Sequence, residues 1–330
     1  MPVVISKLAT RNNLINKPER FIKNMNLKEF YNKRNKILIF RGVGGLGDIL
    51  MHRMIFEDIK RLIPDAEIHF ACPKYYHDAV SDHPFIDELL DSNKVDRQEY
   101  IACFNTTTAC GRTEMKLAPF AGPHRSDIWA SHCGLILTNH EMHFVISSEE
   151  KTNGKNIIES HRDRNGPIVI VSSVSAMQNK NLTEAQTVKL INGLRDRGLC
   201  PIGIHNNPIW EYVKNDFPVI SLNKIREWIS VIDQSDYVVS VDSAAFHCSG
   251  GLKKPMVGIF SFTNSESYGK YYHTAELIQG PCPYGNKGCY NWITCPYQNN
   301  PKPCLIDIDP EIILSSVDNM LKKYPKGDSI

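Results

Sequence analysis

The run Lys36-Ile37-Leu38-Ile39-Phe40 leads without a break into Arg41-Gly42-Val43-Gly44-Gly45-Leu46-Gly47-Asp48. A short apolar run bounded by glycines reads as a buried strand. The residues from about Asp48 to Leu62, stopped by Pro64, read as a helix. Glu67-Ile68-His69-Phe70-Ala71 reads as a second strand. Strand, helix and strand in so short a span make a βαβ unit, which demands a parallel sheet covered by helices. Gly42, Gly44, Gly45 and Gly47 let the backbone turn sharply and approach a ligand closely. The helix that follows points its free N–H groups at the same place. Asp48 stands at that helix start, either as a cap or with its carboxylate facing a cleft. Gly42 to Gly47 also fits the dinucleotide spacing G-x-G-x-x-G. The second strand, however, ends in Phe70-Ala71-Cys72, where that fingerprint needs an acidic residue. A nicotinamide-dependent oxidoreductase is therefore disfavoured.

The pattern continues with a helix over Tyr75–Ser81 and a strand near Glu88-Leu89-Leu90. From Asp91 to Pro123 it fades, and Asn105-Thr106-Thr107-Thr108 is the candidate acceptor loop. A polar stretch from Ser148 to Lys155 and Asn165-Gly166-Pro167 mark a domain boundary. A second α/β series then runs through strands at Ile168–Val171, Pro201–Ile204, Val219–Ile220, Tyr237–Val241 and Pro255–Phe260. Its helices are expected over Thr183–Arg197, Ile225–Ile232, Ala244–Gly250 and Ile312–Leu321, the first opened by a Thr183/Gln186 capping box. The expected architecture is α/β: a basic arm over residues 1–34, then two Rossmann-like, doubly wound domains over 35–155 and 156–330. Ligands of such a pair bind in the cleft between them.

No apolar run approaches the length of about 20 residues that spans a bilayer. The N-terminus lacks a signal-peptide layout, and the expected location is the cytoplasm. Met1–Lys36 carries nine Lys or Arg against two Glu, a charge of +7; the chain sums to +2, so the remainder carries −5. Such an arm suits phosphates of nucleic acid or a membrane surface, or is a solvated helix face. Ten cysteines in a chain read as cytoplasmic argue against a disulfide framework. Four of them, Cys282, Cys289, Cys295 and Cys304, are spaced C-x6-C-x5-C-x8-C among prolines and glycines. Four thiols in one loop suit a tetrahedral structural metal, Zn or Fe, or stand as unbound or redox-active thiols.

Lys36 to Leu50, ending Gly-Leu-Gly-Asp-Ile-Leu, resembles the opening of the family 9 glycosyltransferases, the ADP-heptose:lipopolysaccharide heptosyltransferases. Pro64-Asp65-Ala66-Glu67-Ile68 and His124-Arg125-Ser126-Asp127-Ile128 resemble further segments of that family. So does Val239-Ser240-Val241-Asp242-Ser243-Ala244-Ala245-Phe246-His247, closed by Gly250-Gly251-Leu252-Lys253-Lys254-Pro255. The resemblance implies a GT-B fold and a metal-independent, inverting transfer from a nucleotide-diphosphate sugar. In it Asp48 is the general base and Gly44, Gly45 and Gly47 form the acceptor-side loop. Ser173, Lys180, Asp242, Ser243, Ala244 and His247 line the donor. Some protein heptosyltransferases similar to this family carry a cysteine-bound iron in a comparable place. The chain departs from the family pattern at Met54, Leu182 and Ala244, which leaves open the sugar and nucleotide, an ADP-heptose-like or a UDP sugar. A surface glycan is the default acceptor. A modified DNA base met through the basic arm, or a protein hydroxyl, is the alternative, and a non-catalytic nucleotide-sugar binding protein is the rival from another class.

Overall fold

The computed structural model describes residues 35–118, 120–204, 217–282, 289, 295 and 303–326. The basic arm before residue 35 lies outside them. The described chain falls into two compact units.

In the first unit β1 (Lys36–Phe40), β2 (Glu67–Cys72), β3 (Glu88–Asp91) and β4 (Ala102–Asn105) form a parallel sheet in the order β3-β2-β1-β4. Past their first residues β1 and β2 are buried throughout, as parallel strands covered on both faces must be. The helix expected from Asp48 starts two residues earlier, at Leu46. It is two helices, α1 (Leu46–His52) and α2 (Phe56–Leu62), joined by a tighter turn at Arg53–Ile55. Arg53 at this turn is fully buried and saturated. It donates to Met142 O at 2.6 Å, Ala79 O at 2.9 Å and His143 O at 2.7 Å, and grips Asp82 bidentately at 2.8 and 3.0 Å. The helix expected over Tyr75–Ser81 is a 3-10 turn, Lys74–Ala79. The region from Asp91 holds β4 and α3 (Ala109–Leu117). β4 is a half-buried edge strand of four residues, too short to show alternation or a buried run. Helix α4 (Arg125–His132) also packs in this unit.

The second unit orders β5 (Ile168–Ser172), β6 (Cys200–Ile204), β7 (Val219–Ile220), β8 (Tyr237–Val241), β9 (Met256–Phe260) and β10 (Ala275–Gln279) as β10-β9-β8-β5-β6-β7. Every pair is parallel. From the opposite edge this is the doubly wound order 3-2-1-4-5-6. Its helices are α5 (Ser148–His161), α6 (Glu184–Asp196), α7 (Ile225–Gln234), α8 (Ala244–Gly251), α9 (Ser265–Gly269), α10 (Pro303–Ile306) and α11 (Pro310–Lys323). The Thr183/Gln186 capping box opens α6. Val169, Val239 and Val257 of the sheet meet Leu190 and Leu194 of α6 and Leu314 and Val317 of α11 in one buried cluster.

The division falls between His143 and Phe144 rather than at 155/156, because α5 belongs wholly to the second unit. Arg226 of α7 holds Glu150 of α5 at 2.6 Å. Gly154 of α5 lies so close to α7 that a Cβ there would stand 2.5 Å from Ser230 O. A Gly-to-Ala change inside a helix gains about 1 kcal/mol of propensity. Here the obstacle is backbone, so strain of about 1–3 kcal/mol opposes it. Gly154→Ala is therefore expected to lower the urea midpoint with an unchanged m-value. A midpoint equal to or above that of the wild type refutes the contact. Two segments of the N-terminal half, Gly45–Leu50 and Glu114–His124, also group with the second unit. No described helix is long and apolar enough to cross a membrane.

Candidate active site

In an open parallel sheet, ligands bind beyond the carboxyl ends of the strands where the order reverses. In the second unit the reversal lies between β5 and β8. β5 ends at Ser172 and runs into Ser173, and β8 runs into Asp242-Ser243. Small hydroxyls stitch these ends together. Ser243 Oγ lies 3.3 Å from Ser172 Oγ and 3.1 Å from Ser240 Oγ, and it caps α8 by accepting from Ala245 N. The N-terminal turn of α8 is thus held at this edge, and its first residues carry small side chains, Ser243 and Ala244.

Asp242 is the centre of the site, and it is 3% exposed. Its Oδ2 accepts from Lys180 Nζ at 2.7 Å and from the Thr263 hydroxyl at 2.6 Å. Its Oδ1 faces His247 Nε2 at 3.9 Å. Burial alone would push this carboxyl up; Lys180, then His247, and the hydrogen bonds from Lys180 and Thr263 outweigh it, and the group sits below its usual range. Lys180 closes a 3-10 turn after β5, with its side chain 15% exposed. The rings of Phe262 and Tyr268 lie 5.7 and 5.8 Å from its Nζ. Lys180 is thus a positioned cation with an acidic partner. The sequence marks Asp242 as a donor ligand; in the folded chain its Oδ2 accepts from Lys180 and Thr263. His247, buried at 2% exposure, has its Nδ1 3.0 Å from the Tyr272 hydroxyl.

The glycine loop meets this group directly. A Cβ on Gly47 would stand 2.9 Å from His247 Cδ2 and 3.6 Å from Ala244 Cα. That is the physical need for glycine at this position. Asp48 follows as the third residue of α1, partly exposed and in its acidic first turn, beyond the cap position. Gly44, Gly45 and Val43 are exposed beside it.

The sheet of the first unit reverses between β1 and β4. There Gly42 N donates to Thr107 Oγ1 at 2.9 Å, and Arg41 Nη1 donates to the carbonyls of Thr106 and Thr107 at 3.2 and 3.3 Å. The Asn105–Thr108 segment therefore lies at the carboxyl edge against the glycine loop. Arg41, Thr263 and Tyr272 had no place in the sequence reading. Thr263 and Tyr272 enter only through folding, since they lie outside any motif, Thr263 just after β9 and Tyr272 just after α9.

None of the four clustered cysteines is in a disulfide, and Cys304 stands on α10 rather than in a loop. Cys289 and Cys304 are buried against Phe262, and Cys282 and Cys295 are partly exposed. Their donor chemistry suits zinc or iron. Among the described residues, though, three ligand atoms come within 4.8 Å of one another at Glu67, His69 and Glu88, and not at the cysteines. The former set is already internally bonded, with His69 Nε2 2.8 Å from Glu67 Oε1 and Nδ1 2.9 Å from the Tyr100 hydroxyl.

Residues 159–290 match the family model described as glycosyltransferase family 9 (heptosyltransferase). No curated protein matches the sequence. Among solved structures, the family 9 glycosyl transferase of Veillonella parvula aligns at 14% identity over 88% of this chain and 98% of its own, with a TM-score of 0.66. The E. coli ADP-heptose lps heptosyltransferase II aligns at 15% identity over 87% and 99%, with a TM-score of 0.61. The iron-containing dodecameric glycosyltransferase TibC of enterotoxigenic E. coli aligns at 13% identity over 88% and 76%, with a TM-score of 0.63. The two parallel α/β units have the GT-B fold of these heptosyltransferases, and Lys180, Asp242 and His247 all fall inside the segment 159–290 that matches the glycosyltransferase family 9 (heptosyltransferase) model.

Proposed function

We propose that the chain moves a sugar from a nucleoside-diphosphate sugar to an acceptor hydroxyl, with inversion. The observation that carries this reading is the contact of Gly47 with His247. It sets the loop of Asp48 against the β5/β8 edge where Lys180, Asp242 and the start of α8 converge. Asp48 takes the proton of the acceptor hydroxyl. The oxygen then bonds to the anomeric carbon from the face opposite the nucleotide, and the bond from that carbon to the diphosphate breaks. The charge that develops on the leaving diphosphate is met by Lys180, by His247 and by the amides of α8. Ser173, buried at the end of β5, and Ser243 shape the donor pocket. Asp242 holds the cation rather than the sugar.

The acceptor in this reading is a glycan of the lipopolysaccharide or cell-surface class. The likeness to the E. coli lps heptosyltransferase supports that class. ADP-heptose is the first donor to try. Cys282, Cys289, Cys295 and Cys304 are the set we assign to a structural zinc or iron. The iron-containing neighbour supports it, and no chemical step passes through that metal.

Native mass spectrometry of the purified protein tests both assignments at once. The expected spectrum shows a retained nucleotide or nucleotide sugar, displaced by added ADP, and one metal lost when the four cysteines are replaced by serine. A protein that takes up no nucleotide from ADP, UDP or their sugars ends the transferase reading. A metal content untouched by the serine changes ends the cysteine assignment.

A further inference from the structure

Tyr272 belongs to no motif, yet it is built closely into the site. Its ring is buried and lies across α8 at Gly250, where a Cβ would come within 2.3 Å of the ring. Gly250 is therefore the seat of Tyr272. The phenol then reaches back to His247, three residues earlier on the same helix, at 3.0 Å from Nδ1. Burial first, then Cys248 and Asp242, raise the phenol well above its ordinary value, so it keeps its proton. A neutral imidazole accepts on one nitrogen and donates from the other. With the phenol donating to Nδ1, the imidazole proton rests on Nε2, the nitrogen that faces Asp242 at 3.9 Å. The Cδ2 edge of the same ring meets Gly47. One hydroxyl thus stands behind His247 where it can set both the ring plane and the proton.

We propose that Tyr272 is a positioning residue for donor binding: through its hydrogen bond to Nδ1 it fixes the tautomer and ring plane of His247, so that the Nε2 edge meets the diphosphate of the donor. The proposal rests on the donor-site reading above and adds to it a residue that never touches the donor. Gly250 and Tyr272 are one device, since any side chain at 250 would displace the ring.

The test is a double-mutant cycle with ADP as the probe, read by calorimetry on the full chain. Tyr272→Phe removes only the hydroxyl. It is expected to weaken ADP binding about tenfold, the scale of one buried hydrogen bond. The melting temperature should fall by only about 2–4 °C, which leaves the variant folded. In a His247→Gln background the same change is expected to alter ADP affinity less than about twofold, because a residue that acts through another has nothing left to act on. Wild-type ADP affinity in Tyr272→Phe overturns the proposal. So does a tenfold loss that persists in the His247→Gln background. The side-chain nitrogen spectrum of histidine-labelled protein without nucleotide gives a second readout. The His247 Nδ1 resonance, assigned by its absence in His247→Gln, should move on Tyr272→Phe, and a fixed resonance overturns the proposal as well. If the wild type binds no ADP, the donor-site reading has failed, and the nitrogen shift alone decides whether Tyr272 holds the ring.

Discussion

Replacing Asp48 by Ala is expected to slow sugar transfer by about 10²–10⁴, the contribution of a positioned general base, while ADP affinity stays within about threefold of the wild type. The separation of the two effects follows from the geometry. Asp48 is carried on the first turn of α1, after the glycine that meets His247. The groups assigned to the diphosphate, Lys180 and the amides of α8, belong to other elements. Loss of the carboxylate removes the proton acceptor and leaves the phosphate groups in place. Near-normal turnover in Asp48→Ala, measured as product formed per enzyme with saturating donor, rejects the assignment.

The second large effect concerns stability. Lys180→Met removes the cation from a carboxylate that is almost completely buried. Removing one partner of a buried pair costs about 3–5 kcal/mol, because the remaining charge has no compensation. The expected result is a much lower denaturation midpoint at neutral pH, together with loss of donor binding. The sign of the pH dependence then tells the cause apart from lost packing. In the wild type the Asp242 carboxyl lies below its usual value. Its contribution is present above the unfolded carboxylate pKa and is lost as pH falls through the folded value. Without Lys180, the largest remaining influence is burial, which favours the neutral acid. The deficit of Lys180→Met relative to the wild type should therefore shrink as pH falls through the carboxylate range. A deficit that is constant with pH would show that Lys180 stabilises through its aliphatic stem and its ring neighbours alone.

The central strands were legible from local pattern. The stretches 168–171 and 237–239 are continuous apolar runs because both faces of a central parallel strand are covered. The capping box at Thr183 and Gln186 was legible because its two bonds join residues three apart. Two of the four edge strands were not. Ala102–Asn105 is short and half-exposed, so it carries little hydrophobic signal. Ala275–Gln279 is only partly buried, and it went unread for the same reason. The break in the first helix at Arg53 was hidden because the carbonyls and the carboxylate that satisfy its guanidinium lie 26 to 90 residues away.

The chain order alone settled that this is a doubly wound α/β protein, and it marked Gly47, Asp48, Lys180, Asp242 and His247 as the residues of interest. Such information is local: it lies in periodicity, in glycines at a turn and in motifs a few residues long. What each of those residues does was decided by contacts between distant parts of the chain. Lys180 has no acidic partner near it in sequence that a motif would name, and Asp242 becomes its partner only when β5 and β8 are laid side by side. Gly47 reads as one more flexible residue, and its lack of a side chain matters because His247 occupies that space. Burial turns these contacts into commitments: a carboxylate that is 3% exposed must be paired, and which cation pairs with it is a property of the folded sheet.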